Sequence, residues 1–142
     1  MIEIKRLENI TLKVTTAFAH LMPQLTPDCQ ILEAKDLQRI IDNENIHVFI
    51  ACNPTIVGTL TLALVPTPSG TKAWIEDVVV DMSARKQGIG EKLLQYAVDF
   101  AKELKVSNIN LTSKPERIAA NKLYQESGFV LRETNVYRLT ID

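Results

Sequence analysis

Two cysteines and two histidines are all that this chain of 142 residues offers for redox or metal chemistry, and neither pair is placed for it. Cys29 and Cys52 form no C-x-x-C, and a chain of this length builds a full core without a disulfide. Both are read as reduced, buried thiols of a cytosolic protein. His20 and His47 stand far apart with no companion ligands at metal spacing, so no metal is expected and both are read as structural or surface residues. An excess of one charge is also missing. Lys and Arg number 16 against 17 Asp and Glu, and the net charge of −1 gives no general pull toward nucleic acid or an anionic membrane. Any phosphate recognition must be local. No apolar run approaches the ~18 residues of a membrane span, and the opening MIEIKRLENI lacks the apolar stretch of a signal peptide or anchor. Repeats, low-complexity tracts and linkers are absent as well. What is present, 46% hydrophobic and 23% charged residues, is ordinary for a folded chain. The expectation is one soluble, cytoplasmic domain over residues 1–142.

Hydrophobic periodicity gives the elements. Ile2, Ile4 and Leu7 alternate with polar residues and predict a first strand. A helical period runs from Thr11 to Leu21, and Pro23 and Pro27 are expected to end it. Leu37, Ile40 and Ile41 form an i, i+3, i+4 stripe, a second helix starting near Ala34. HVFIACN and IVGTLTLALVP are alternating and β-branched, and Asn53-Pro54 between them predicts a hairpin, with PTPSGT as the next loop. AWIEDVVVD is the most apolar strand, and its Val78-Val79-Val80 suits a central position. Ile89, Leu93, Ala97, Phe100 and Leu104 mark the following helix. NINLT is a short strand. SKPERIAANKLYQESGF is a helix, with Ser113 and Glu116 as a capping box and Gly128 at its end. Strands around Val130 and at NVYRLTI are expected to finish the chain. This order is that of a mixed α/β sheet with helices on both faces.

The strand-to-helix junction RKQGIGEKL carries the chemistry. A P-loop would need G-x-x-x-x-G-K-[ST], and a dinucleotide fingerprint a third glycine where Leu93 stands. The pattern [QR]-x-x-G-x-[GA] is matched by Arg85, Gly88 and Gly90. The first turn of a helix has amide hydrogens without intrahelical partners, and its dipole adds partial positive charge. Glycines let a pyrophosphate approach those amides, and Arg85 and Lys86 add formal charge. The plainer reading, glycines for a tight turn, leaves the basic pair unexplained.

IEDVVVDMSARKQGIGEKLL followed by AANKLYQESGF resembles the GNAT superfamily of acetyl-CoA-dependent N-acyltransferases. The resemblance implies an acyl-CoA N-acyltransferase fold with a central, mostly antiparallel sheet. It further implies transfer of an acetyl group to a primary amine by direct attack. The backbone of Val78, Val79 and Val80 would pair with the pantetheine arm of coenzyme A, lying between splayed strands. Arg85, Lys86, Gln87, Gly88, Ile89 and Gly90 would hold the pyrophosphate. Family members often carry asparagine where this chain has Arg117; the coenzyme contact is carried instead onto Asn121, and Arg117 is set at the rim of the coenzyme or substrate site.

Amide formation from a thioester needs a neutral amine and a stabilised leaving thiolate. Tyr124, matched to the family, is the expected donor to the thiolate, against a second reading as a packing tyrosine beside Leu123 and Phe129. Glu76 is the expected direct or water-relayed base, against a second reading as a salt-bridged structural carboxylate. Strict alternation would put Glu76 on one face with Val78 and Val80, and Asp77 on the other with Val79 and Asp81. Trp74 and Tyr137 are read as core residues, against a second reading as the lining of an acceptor pocket. Expected partners are a small-molecule or peptide amine and a second copy of the chain, paired through RETNVYRLTI, with neither nucleic acid nor membrane. A coenzyme-binding regulatory module of the same fold is the alternative, though such a module needs neither Glu76 nor Tyr124.

Overall fold

Four of the expected strands assemble in chain order. In the computed structural model, which describes all 142 residues, β1 (Glu3–Arg6), β2 (Ile46–Asn53), β3 (Thr55–Thr67) and β4 (Gly70–Val80) pair antiparallel in succession. A short β5 (Ile109–Asn110) joins β4 in parallel, giving a mixed sheet ordered β1-β2-β3-β4-β5. The helices are α1 (Leu12–Leu25), α2 (Ala34–Asp42), α3 (Ile89–Glu103) and α4 (Ile118–Glu126). The chain divides into two compact units, Met1–Thr112 and Ser113–Asp142. The first holds the whole sheet with α1 to α3, and the second holds α4. No helix is long and apolar enough to cross a membrane.

Alternation along β2 sorts the core of the first unit into two layers. Val48, Ile50 and Cys52 pack with Leu7, Val14 and Leu37, on the side of α1 and α2. His47 and Phe49 point the other way, onto α3. There the His47 and Phe49 rings lie 4.7 and 5.2 Å from Phe100, and Phe49 lies 5.1 Å from Tyr96. Helices therefore cover both faces, as the element order predicts. Burial and the Arg6 cation hold the His47 imidazole below its ordinary pKa, so this histidine is a neutral core residue.

Several boundaries differ from the sequence expectation. α1 runs through Pro23 to Leu25, because a proline this close to the end removes only one ladder amide. The Thr26 N–H then closes the helix on the Met22 carbonyl at 2.9 Å. α2 starts at Ala34 as predicted, with Glu33 and Asp36 capping each other's backbone. The β2–β3 hairpin turns at Pro54 as predicted, whereas PTPSGT is tighter than a loop: Pro66 and Thr67 pair with Thr71 and Gly70.

In the second unit, α4 begins only at Ile118, and the capping box of Ser113 and Glu116 does not form. Pro115 disfavours helical backbone at Lys114, which delays the start. Its other end is as predicted. Gly128 takes φ +97°, the Phe129 N–H reaches the Tyr124 carbonyl at 2.9 Å, and the Gly128 N–H reaches Gln125 at 3.1 Å. That bond pair is a Schellman cap, and Tyr124 and Phe129 supply its apolar contact with rings 6.1 Å apart. The two final strands are not formed. Residues 127–142 enter no ladder, and Tyr137, expected in the core, is 87% exposed. Alternation in a sequence marks a segment that could pair; a strand exists only where its backbone finds a partner.

Candidate active site

The site is built around an irregularity in β4. Thr59 of β3 pairs with Val79 and Thr61 with Glu76, so Asp77 and Val78 together oppose Leu60. The extra residue is absorbed at Asp77, which takes φ +50°, a left-handed conformation that aspartate tolerates better than most residues. Strict alternation fails here. Directly paired residues share a face, so Glu76 lies with Val79, on the side of Thr59 and Thr61, and not with Val78 and Val80. Burial, then the neighbouring Asp77 charge, raises the Glu76 carboxyl above its ordinary pKa.

On its other edge β4 is largely open. β5 pairs with Ala73 and Trp74 only, and no strand continues beside Ile75 to Val80. The Asp81 N–H donates to the Val57 carbonyl at 2.8 Å, which makes Gly58–Val80 a pair whose own amides and carbonyls point away from each other. The Val80 backbone thus faces the open edge, where its carbonyl accepts a hydrogen bond from Arg85 Nε at 3.2 Å. Parting strands with an exposed backbone edge are what an extended amide-bearing arm could pair with.

Beyond Val80 the chain makes one 3₁₀ turn, Met82–Ala84, and enters the glycine junction. Gly88 is the N-cap of α3 at φ +74°, and no side chain caps the helix. The amides of the first turn therefore lack intrahelical partners, and Arg85, Lys86, Gln87 and Gly88 around them are exposed. A Cβ on Gly88 would meet nothing within 4 Å, so glycine is favoured by its dihedral angle and not by crowding. Both readings of the motif hold together: the tight turn is real, and it leaves amides and two cations uncovered for an anion.

A clamp missed in the sequence fixes the approach to this junction. Asp81 accepts hydrogen bonds from Gln24 Nε2 at 2.9 Å and Ser83 Oγ at 2.8 Å, and meets His20 Nε2 at 3.1 Å. Gln24 Oε1 in turn accepts from the Met82 N–H at 3.0 Å. These bonds hold the Asp81 carboxyl at a pKa of about 2 and tie α1 to the end of β4. Donors so far apart in sequence carry no local signal.

The first unit also holds a cavity of about 220 Å³ between α1, α2, the loop joining them and the sheet. Thr59, Thr61 and Asp77 lie at the sheet wall, and Phe18, Met22 and Ile40 are among the apolar residues opposite. Trp74 does not line it. In the second unit, Tyr124 is buried, which raises its phenol pKa against the opposing effect of Arg117. Asn121, one turn earlier, donates from Nδ2 to the carbonyls of Lys114 and Pro115 at 2.9 and 3.4 Å, so its amide nitrogen is engaged in holding the entry to α4.

Comparison with known proteins bears on this geometry. Residues 13–129 match the Acetyltransferase (GNAT) family, a stretch that runs from α1 past the end of α4. Over 105 residues the chain is 30% identical to the uncharacterized N-acetyltransferase YhdJ of Bacillus subtilis (strain 168), covering 72% of this chain and 73% of that one. An aminoglycoside acetyltransferase from an uncultured soil metagenomic sample, solved with trehalose, superposes with a TM-score of 0.87 at 24% identity, over 99% of this chain and 97% of that one. A further structure, AAC(6')-Iy in complex with a bisubstrate analog, CoA-S-monomethyl-acetylneamine, gives a TM-score of 0.81 at 17% identity, over 100% and 99%. At such identities these two structures establish likeness of fold, while the sequence match establishes kinship: the chain is an acetyltransferase of the GNAT family.

Proposed function

We propose that the chain, acting as one N-acetyltransferase domain, moves an acetyl group from acetyl-CoA to a primary amine by direct attack. The observation that carries this is the conjunction, within one unit, of the open β4 edge and the uncapped N-terminus of α3. The backbone of Val78 to Val80 would pair with the pantetheine arm. Arg85 to Gly90 would take the pyrophosphate through the free amides and the two cations. Two relatives in fold support the acceptor class: one is solved with the aminoglycoside sisomicin, the other with a coenzyme A–acetylneamine bisubstrate.

The amine nitrogen attacks the thioester carbonyl carbon, its surplus proton passes to Glu76 directly or through water, and the C–S bond breaks with the electron pair on sulfur. A carboxylate raised above its ordinary pKa is a better proton acceptor from an ammonium than an unperturbed one. Tyr124 donates a hydrogen bond to the departing sulfur. Burial keeps its phenol protonated, which suits a donor. Asn121 is assigned to the coenzyme side of α4 only through its carbonyl oxygen, since its nitrogen is engaged. The exposed, apolar Val136, Leu139 and Ile141 support pairing of this tail with a second copy of the chain.

Calorimetric titration with acetyl-CoA tests the reading. Wild type is expected to bind, and Gly88→Val to bind at least ~10-fold more weakly, because a β-branched residue resists φ +74° and re-aims the first-turn amides. Wild-type affinity in this variant, with its melting transition retained, would remove the pyrophosphate from the junction.

A further inference from the structure

The cavity beside β4 has a composition that selects among amines. Of the 17 residues lining it, Asp77 is the sole one with a charged side chain. Its carboxylate is carried on the bulge, at φ +50°, a conformation the register of β3 and β4 imposes. Polar company at the sheet wall is limited to Thr59 and Thr61, and the Thr59 hydroxyl already donates to the Phe49 carbonyl at 2.9 Å. Facing them, α1 contributes Phe18, Met22 and Leu25 and α2 contributes Ile40 and Ile41. All five are half-buried, so an apolar guest would remove surface on both sides from water.

We infer that the acceptor is a small primary monoamine with an apolar body, an arylalkyl- or alkylamine, its ammonium on Asp77 and its body between α1 and α2. The inference rests on the acetyl-CoA reading and narrows its acceptor. One carboxylate balances one ammonium. A polycationic aminosugar entering the same space would bury further ammonium groups beside leucine, isoleucine and phenylalanine, without counter-ions. Hydroxyls of such a sugar would also lose water and find few partners. An acyl chain is the other apolar guest of similar size, but it gains nothing from a carboxylate in the wall. Asp77 would bind the cation, and its neighbour in sequence, Glu76, which is not among the residues lining the cavity, keeps the role of proton acceptor proposed above.

Thiol release from acetyl-CoA, followed with phenethylamine, hexylamine and kanamycin, tests this. The two monoamines are expected to exceed kanamycin at least ~30-fold in kcat/KM. Asp77→Asn, which retains tolerance of left-handed backbone, is expected to raise KM for phenethylamine at least ~10-fold and to leave calorimetric acetyl-CoA affinity unchanged. A binding measurement on wild type alone covers the case in which that variant fails to fold. N,N-Dimethylphenethylamine should inhibit at least ~10-fold more tightly than 2-phenylethanol, which lacks the cation. Kanamycin equal to or better than the monoamines overturns the inference, as do equal inhibition by the cation and the alcohol, or an unchanged KM in folded Asp77→Asn. Faster turnover with octanoyl-CoA than with acetyl-CoA assigns the cavity to the acyl chain and overturns it too. In each of these outcomes acetyl-CoA still binds; loss of that binding in wild type overturns both this inference and the transferase reading.

Discussion

The two faces of the sheet differ in how they are closed. On the α3 face, Leu60, Leu62 and Leu93 are fully buried, and a Cβ on Gly58 would meet Leu93 Cδ1 and the Val79 carbonyl at 3.2 Å. One more carbon there would fit only if a neighbour gave way by a few tenths of an ångström. On the α1–α2 face the same strands leave about 220 Å³, and the residues above it, Phe18, Ile40 and Ile41, are half-buried. Alternation separates inside from outside without saying whether the cover fits. A filled face holds the fold together; a face left hollow can hold a substrate.

Like truncations on the two faces should differ most in their cost to stability. Leu93→Ala removes a side chain from a packed layer and is expected to lose about 2–5 kcal/mol, the transfer term plus a new cavity. Ile40→Ala enlarges a space that already exists and is expected to lose about 1 kcal/mol, because less apolar surface returns to water. Denaturant unfolding of the two variants measures both. Equal losses would show the α1–α2 face to be as tightly closed as the other.

A chemical change on the hollow face should instead leave stability alone and act on rate. Glu76→Gln is expected to lower kcat about 100-fold, the lower end for removal of a general base, with the melting transition little moved. Its raised pKa sets the sign of the pH dependence. A base works deprotonated, so if Glu76 has the proposed role the acidic limb of kcat/KM should lie at higher pH than an unperturbed glutamate would give and be lost in the variant. In the second unit, Tyr124→Phe should lower kcat to a comparable degree, without changing KM for acetyl-CoA, since the hydrogen bond proposed for it would strengthen only as the thiolate forms. Steady-state kinetics at saturating amine separates these outcomes, and an unchanged kcat in either variant returns that residue to structure.

How far the sequence could be read follows from the range of each interaction. α2, the Asn53-Pro54 hairpin, the glycine junction and the Gly128 cap depend on residues within one turn of each other, and all four stand where the pattern puts them. The bulge at Asp77 depends on the register between β3 and β4, so Glu76 was given the wrong companions. The capping box at Ser113 matched by spacing and was overridden by Pro115. The terminal strands matched by alternation, but nothing in NVYRLTI specifies a partner for its backbone. Asp77 was visible as an acidic residue in a strand, and its place in the cavity wall was not.

The smallest expected effect concerns what holds α1 over the hollow face. Where packing is incomplete, the polar clamp on Asp81 ties α1, through His20 and Gln24, to the end of β4. Asp81→Asn keeps the shape but exchanges one acceptor oxygen for a donor, which then faces the donors of Gln24 or Ser83. Near the surface, loss of such charge-assisted bonds is expected to cost about 1 kcal/mol at pH 7, or a few degrees in Tm. The pH dependence gives the effect a signature. The folded carboxyl has a pKa of about 2, below the ordinary 3.8, so the ionised form is favoured by folding. The stabilisation is complete above the unfolded value and is lost as pH falls toward the folded one. The part of the Tm gap between wild type and Asp81→Asn that comes from the carboxylate should therefore be complete above about pH 5 and narrow below about pH 4. No gap at pH 7, or a gap that fails to narrow between about pH 4 and pH 2, would show that α1 is held by its apolar contacts alone and that the hollow face needs no clamp.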